Sequence, residues 1–143
     1  MAPKAVAFKT KLALKTPAIL VAEDNSDSRE MMNVLLGSKG YSVIEAADGL
    51  QGVEVALTKL PDLIFLDLQL PLLDGLMVTR NLRQHPKLKT VPIVVISGHD
   101  PAMHRQPSLD AGCNDYLFKP IDVERLEEIL NTFVPLVNRN REQ

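Results

Sequence analysis

Leu63-Ile64-Phe65-Leu66-Asp67-Leu68-Gln69-Leu70-Pro71 is the stretch on which the reading of this fold turns. Four large apolar residues end in one carboxylate, and a proline-marked loop follows. A short apolar run bounded by turn signals reads as a strand buried on both faces, as in parallel sheets. A lone carboxylate is costly in such a core. Asp67 is therefore expected at the carboxyl edge of the sheet, where open α/β folds place their ligands. Taken alone, Asp67 fits a helix cap or a solvated loop acid equally well.

The flanking segments repeat the strand pattern. Upstream, Ala18-Ile19-Leu20-Val21-Ala22 is a strand followed at once by Glu23-Asp24-Asn25. Asp27 with Glu30 suggests a capping box opening a helix, with Met31, Val34, Leu35 and Ser38 on its inner face and Gly40 as its stop. Tyr41 to Ala46 forms the second strand, Asp48-Gly49 a turn, and Gly52 to Leu60 a helix with Val53, Ala56, Leu57 and Leu60 on one side. Downstream, Asp74-Gly75 opens a helix through Met77, Val78 and Leu82 to about Gln84. Val91 to Ile96 is the fourth strand, ending in Ser97-Gly98-His99. Pro107 falls inside the next helical window, Ala102 to Ala111. It removes an amide donor and crowds the preceding turn, so this helix is expected to be short, kinked or delayed, with Gly112 as its stop. Asp115 to Phe118 is the fifth strand, before Lys119-Pro120. Asp122 caps a last helix with Val123, Leu126, Ile129, Leu130 and Phe133 on one face, and Pro135 ends it. Strands alternating with helices five times imply a five-stranded parallel sheet with helices on both faces and right-handed crossovers.

The bulk composition narrows the function classes. The 143 residues are 45% hydrophobic and 24% charged, which are globular values and enough for one domain with a real core. A net charge of −2, a pI near 5.9 and 4% aromatics argue against nucleic-acid binding by this domain. One cysteine, Cys113, excludes an internal disulfide and suits a reducing compartment. No apolar run approaches membrane-spanning length, and the start of the chain lacks the apolar region of a signal peptide, so the expected location is cytoplasmic. Residues 1–17 carry Lys4, Lys9, Lys11 and Lys15 and no acid, and read as a basic arm; 18–135 is the folded domain and 136–143 a polar tail. His85, His99 and His104 show no metal-binding spacing, since His99 and His104 are five apart and would not share a helix face. Gly37-Ser38-Lys39-Gly40 lacks the glycine spacing of a phosphate loop.

The ends of the predicted strands carry the chemistry. The first presents Glu23 and Asp24, the third Asp67, the fourth Ser97 and the fifth Lys119. A parallel sheet brings all of these to one rim. Three carboxylates there need a counter-charge. Oxygen ligands without His or Cys suit a hard cation such as Mg²⁺. The lysine is a point charge suited to a phosphoryl group, and the serine hydroxyl can donate to a phosphoryl oxygen.

Val-Ala-Glu23-Asp24-Asn25, Phe-Leu-Asp67-Leu-Gln-Leu-Pro71-Leu-Leu-Asp-Gly75, Ile-Ser97-Gly-His and Tyr116-Leu-Phe-Lys119-Pro120 stand in this order, each after an apolar strand. Over about Ala18 to Val134 the chain resembles the receiver domain of two-component response regulators. The resemblance implies a flavodoxin-like sheet of order 2-1-3-4-5. It implies Asp67 as phosphoacceptor from a histidine kinase or histidine phosphotransfer protein, with Lys119 and Ser97 assisting. It implies Mg²⁺ on Asp24 and Asp67, on Glu23 through water and on the Gln69 main-chain carbonyl. Ser97 and Tyr116 would be the switch, the ring moving inward once the serine turns to the phosphoryl group. Gln69 and His99 would tune its lifetime. A downstream protein target is the expected partner, the sequence leaves open whether the chain forms a homodimer, and the chain would be a phosphoacceptor rather than a turnover enzyme. Leu70, Gly98 and Pro107 depart from the usual pattern. A receiver-like scaffold working without phosphate is the alternative. A Mg²⁺-dependent aspartyl phosphatase is disfavoured, because its second acid would stand where Gln69 does.

Overall fold

The computed structural model describes residues 16–136. The basic arm expected over residues 1–17 and the tail over 136–143 lie almost wholly outside the described residues. The elements run β1 (Ala18–Ala22), α1 (Ser26–Ser38), β2 (Ser42–Ala46), α2 (Gly49–Lys59), β3 (Leu63–Asp67), α3 (Gly75–Arg83), β4 (Ile93–Ser97), α4 (Pro101–Ala111), β5 (Asp115–Phe118) and α5 (Val123–Phe133). A short 3₁₀ turn, Pro86–Leu88, precedes β4. All strand pairs are parallel, in the order β2-β1-β3-β4-β5. The expected flavodoxin-like sheet is therefore present. Its order reverses between β1 and β3, the crevice where such sheets hold ligands.

Successive strand residues point to opposite faces, and this splits the core in two. Leu20, Ile64, Leu66, Ile93 and Val95 pack with Ala56 of α2 and Val78 and Leu82 of α3. Ile19, Phe65, Val94 and Ile96 pack on the other face with Leu36 of α1 and Leu126 and Leu130 of α5. All five residues of β3 are buried, Asp67 included. That follows from its central place with helices on both sides.

Several local expectations need correction. Asn25, and not Asp27, caps α1: its Oδ1 accepts from Ser28 N at 2.9 Å. The buried face of α1 is Met32 and Leu36, whereas Met31 is 46% and Val34 64% exposed. Five apolar residues within 31–36 offer two overlapping stripes, and periodicity alone did not choose between them. Asp48 is a cap as well as a turn residue, so α2 starts at Gly49. Leu57 and Leu60 face outward, and Leu60 ends the helix in left-handed backbone at φ 49°. Pro92 has no amide donor, and β4 begins after it at Ile93.

Helix α4 is neither short nor delayed. It runs eleven residues with Asp100 as its cap and Pro101 in its first turn, where a missing N–H does no harm. Pro107 lies inside it with its side chain exposed. It withdraws one donor, from the Met103 carbonyl, while the rest of the helix forms. Gly112 stops it at φ 115°, as expected.

Candidate phosphoryl-acceptor site

The carboxyl ends of four strands build the site. Glu23 follows β1, Asp67 ends β3, Ser97 ends β4 and Lys119 follows β5. Pairing of Asp67 with Ile96 and of Ser97 with Phe118 fixes their relative heights on the rim. Gly75 allows the β3–α3 loop to fold tightly back, because a Cβ there would stand 2.6 Å from the Asp67 carbonyl oxygen.

Lys119 Nζ donates to Asp67 Oδ2 and to Glu23 Oε1, both at 2.9 Å. Asp67 Oδ1 accepts from Gln69 N at 2.8 Å. Glu23 and Asp67 are buried, at 6% and 8% exposure, and Asp24 is exposed. Carboxylate oxygens of Glu23, Asp24 and Asp67 all lie within 4.8 Å of one another. Around a Mg²⁺ ion with bonds of about 2.0–2.1 Å, oxygens stand roughly 3–4 Å apart. An all-oxygen set this compact, with one acid open to solvent, fits a hard divalent cation.

The electrostatics agree with two acids sharing one base. Burial pushes the Glu23 carboxyl above its usual range, the nearby Asp67 adds to this, and Lys119 partly offsets it. Burial works against the charged form of Lys119, but its bonds to Asp67 and Glu23 outweigh that and the ammonium titrates above its ordinary value. The three groups face a cavity of about 250 Å³, also lined by Met31, Ile96 and Pro120. The Lys119–Pro120 peptide bond is cis.

The remaining predicted residues form a second layer beside Asp67. Ser97 is 2% exposed, and its Oγ accepts from His99 N at 3.0 Å. Tyr116 is already inward, at 3% exposure, and its hydroxyl donates to the His99 carbonyl at 3.0 Å. Gln69 Nε2 meets His99 Nε2 at 2.6 Å, joining the β3–α3 and β4–α4 loops. The sequence spacing set His99 and His104 apart, yet their ring centroids are 4.8 Å from each other. His99 precedes α4 in a loop, so helical spacing does not govern it.

Arg29 escaped the sequence reading. Its Nη1 donates to the Glu23 carbonyl at 2.8 Å, and its Nε to Glu45 at 3.0 Å. A basic residue near a helix N-terminus is electrostatically disfavoured, and that placement was the available signal for a specific partner.

The family model described as response regulator receiver domain matches residues 19–131. The DNA-binding dual master transcriptional regulator RpaA of Synechocystis sp. is 34% identical over 110 residues, 77% of this chain and 46% of that protein. The chain thus spans less than half of that relative's length. The polar-differentiation response regulator DivK of Brucella ovis is 29% identical over 119 residues, 83% of this chain and 97% of that one. Among solved structures, the receiver domain of a sensor histidine kinase from Pseudomonas aeruginosa was crystallised with a magnesium ion coordinated in its active-site cleft. It superposes with a TM-score of 0.77 at 36% identity, over 83% of this chain and 98% of that one. With the family model matching most of its length, this chain belongs to the response regulator receiver domains of two-component signalling.

Proposed function

We propose that Asp67 accepts a phosphoryl group from a phosphohistidine on a histidine kinase or phosphotransfer protein, and that the phosphorylated state changes the protein's contact surface. The observation that carries this reading is the Lys119 ammonium bridging Asp67 and Glu23 on the rim of the sheet. It puts a fixed positive charge against the carboxylate oxygen of the buried acid.

The step is a displacement at phosphorus. A carboxylate oxygen of Asp67 forms the new P–O bond, the P–N bond breaks, and the imidazole leaves with its electron pair. Lys119 is already within bonding distance of Asp67 and can follow charge onto the phosphoryl oxygens, so the chain contributes positioning and electrostatics. The Ser97 hydroxyl, bonded now only to the His99 amide, is free to donate its proton to a phosphoryl oxygen. Asp24 and Asp67 would hold Mg²⁺ directly, Glu23 through water and Gln69 through its main-chain carbonyl. A bound Mg²⁺ supplies charge neutralisation for the transferring group.

The readout runs through His99. Its amide is held by Ser97 and its carbonyl by Tyr116. A serine that turns to the phosphoryl group releases the amide, and the β4–α4 loop can then shift against the buried tyrosine. Asp115 accepts from Arg105 of α4 at 3.2 Å and Arg125 of α5 at 2.8 Å, tying those helices to β5. The α4–β5–α5 face therefore moves with the loop and presents itself to a downstream protein or a second copy. A donor of this class places the exchange in the cytoplasm, within a domain spanning residues 18–135.

Intact mass after incubation with a small acyl-phosphate donor tests the proposal. One phosphoryl group is expected in the presence of Mg²⁺, and none with a chelator or in Asp67→Ala. Absence of any mass gain in the parent chain supports a phosphate-independent scaffold instead.

A further inference from the structure

We propose a second divalent-cation site, built from imidazole nitrogen, at His99 and His104 beside Gln69. The two rings stand 4.8 Å apart between centroids, tilted by 34°. Two imidazoles that share an ion in adjacent coordination positions, each about 2.0–2.1 Å from it, have ring centres roughly 4.5–5.5 Å apart. The centroid separation falls within that range, and rotation of the His104 ring is needed to turn a nitrogen to the shared point. Both residues line a cavity of about 290 Å³ with Gln69 and Asp74.

Gln69 Nε2 stands 2.6 Å from His99 Nε2, so an ion that takes this imidazole's lone pair displaces the amide. Among the described residues neither ring nitrogen of His104 has a hydrogen-bonding partner, so rotation of its ring toward His99 breaks no bond. Turning the Gln69 amide over offers its oxygen to the same point.

Nitrogen ligands select the metal. Imidazole suits Zn²⁺, Cu²⁺ and Ni²⁺, whereas Mg²⁺ takes oxygen. The site is thus distinct in kind from the three-carboxylate rim, and high Mg²⁺ does not compete for it. Its occupant is a borderline divalent ion, with Zn²⁺ the probe. The remaining histidine, His85, contacts Asn81 at 3.3 Å away from this cavity and serves as a control.

Isothermal titration of the full chain with Zn²⁺ in excess Mg²⁺ tests the site independently of any phosphoryl chemistry. One equivalent is expected to bind. His99→Ala and His104→Ala should each weaken it tenfold or more, while His85→Ala and Asp67→Asn leave it unchanged. Circular dichroism of the metal-free variants checks that they fold, and the His104 ring resonances should shift on titration even if His99→Ala perturbs its loop. Failure of the parent chain to bind, equal binding in both alanine variants, or loss in Asp67→Asn would overturn the proposal.

Discussion

Glu23 stands against Asp67 at 6% exposure, and its ionised form is the one the fold penalises. The folded protein holds the Glu23 proton more tightly than the unfolded chain does. The stability it contributes is present below the ordinary glutamate value near 4.5 and is lost as pH rises through the raised folded value. In metal-free buffer, Glu23→Gln is predicted to unfold at higher urea than the parent at neutral pH and at the same urea in acid. Equal midpoints at neutral pH would contradict the burial argument. Lys119 has the same sign, but its window lies above 10.5, beyond the ordinary range of such measurements. Leu72 is 69% exposed in left-handed backbone at φ 72°. A branched side chain in that region costs about 1–2 kcal/mol, and asparagine tolerates it better. With little packing to lose, Leu72→Asn is predicted to raise unfolding free energy by about 1 kcal/mol, as checked by urea denaturation. Gln69 and His99 bond to each other through their side chains, and Gln69 N donates to Asp67 Oδ1. Alanine at either position is predicted to change the rate of phosphoryl loss several-fold and leave the extent of labelling intact, followed by the decay of intact mass.

At the scale of elements, α4 is where local sequence and tertiary structure disagree. Pro107 leaves the Met103 carbonyl without its helical amide partner, and an interior proline weakens a helix by about 3 kcal/mol relative to alanine. The helix forms because Asp100 caps it, Gly112 terminates it, and buried Ser108 and Ala111 anchor its last turns. Pro107→Ala is predicted to stabilise the fold by about 1–3 kcal/mol, offset in part by the freer unfolded chain, again read from the urea midpoint. The contrast with β3 is physical. The interior of a strand buried on both faces must be apolar, so Leu63 to Leu66 were readable residue by residue and Asp67 stood out as the end of the strand. A helix buried on one face needs only a stripe, and in α1 the sequence supplied apolar residues for two of them. The stripe that packs on the sheet is Met32 and Leu36.

Across the whole molecule, the site was legible because a parallel sheet carries every strand end to one rim, so chain order was enough to assemble Glu23, Asp67, Ser97 and Lys119. What the sequence left hidden is contact made through loops and backbone: Arg29 on the Glu23 carbonyl, Tyr116 on the His99 carbonyl, and the His99–His104 pair. These depend on three-dimensional closure and follow no linear spacing. The most direct measurement is the position of the phosphoryl group after reaction with an acyl-phosphate donor and Mg²⁺, mapped by tandem mass spectrometry of fragments. A single acyl phosphate, cleaved by hydroxylamine, is expected on the fragment containing Asp67. A stable phosphoryl group on Ser97 or on a histidine, with Asp67 unmodified, would contradict it.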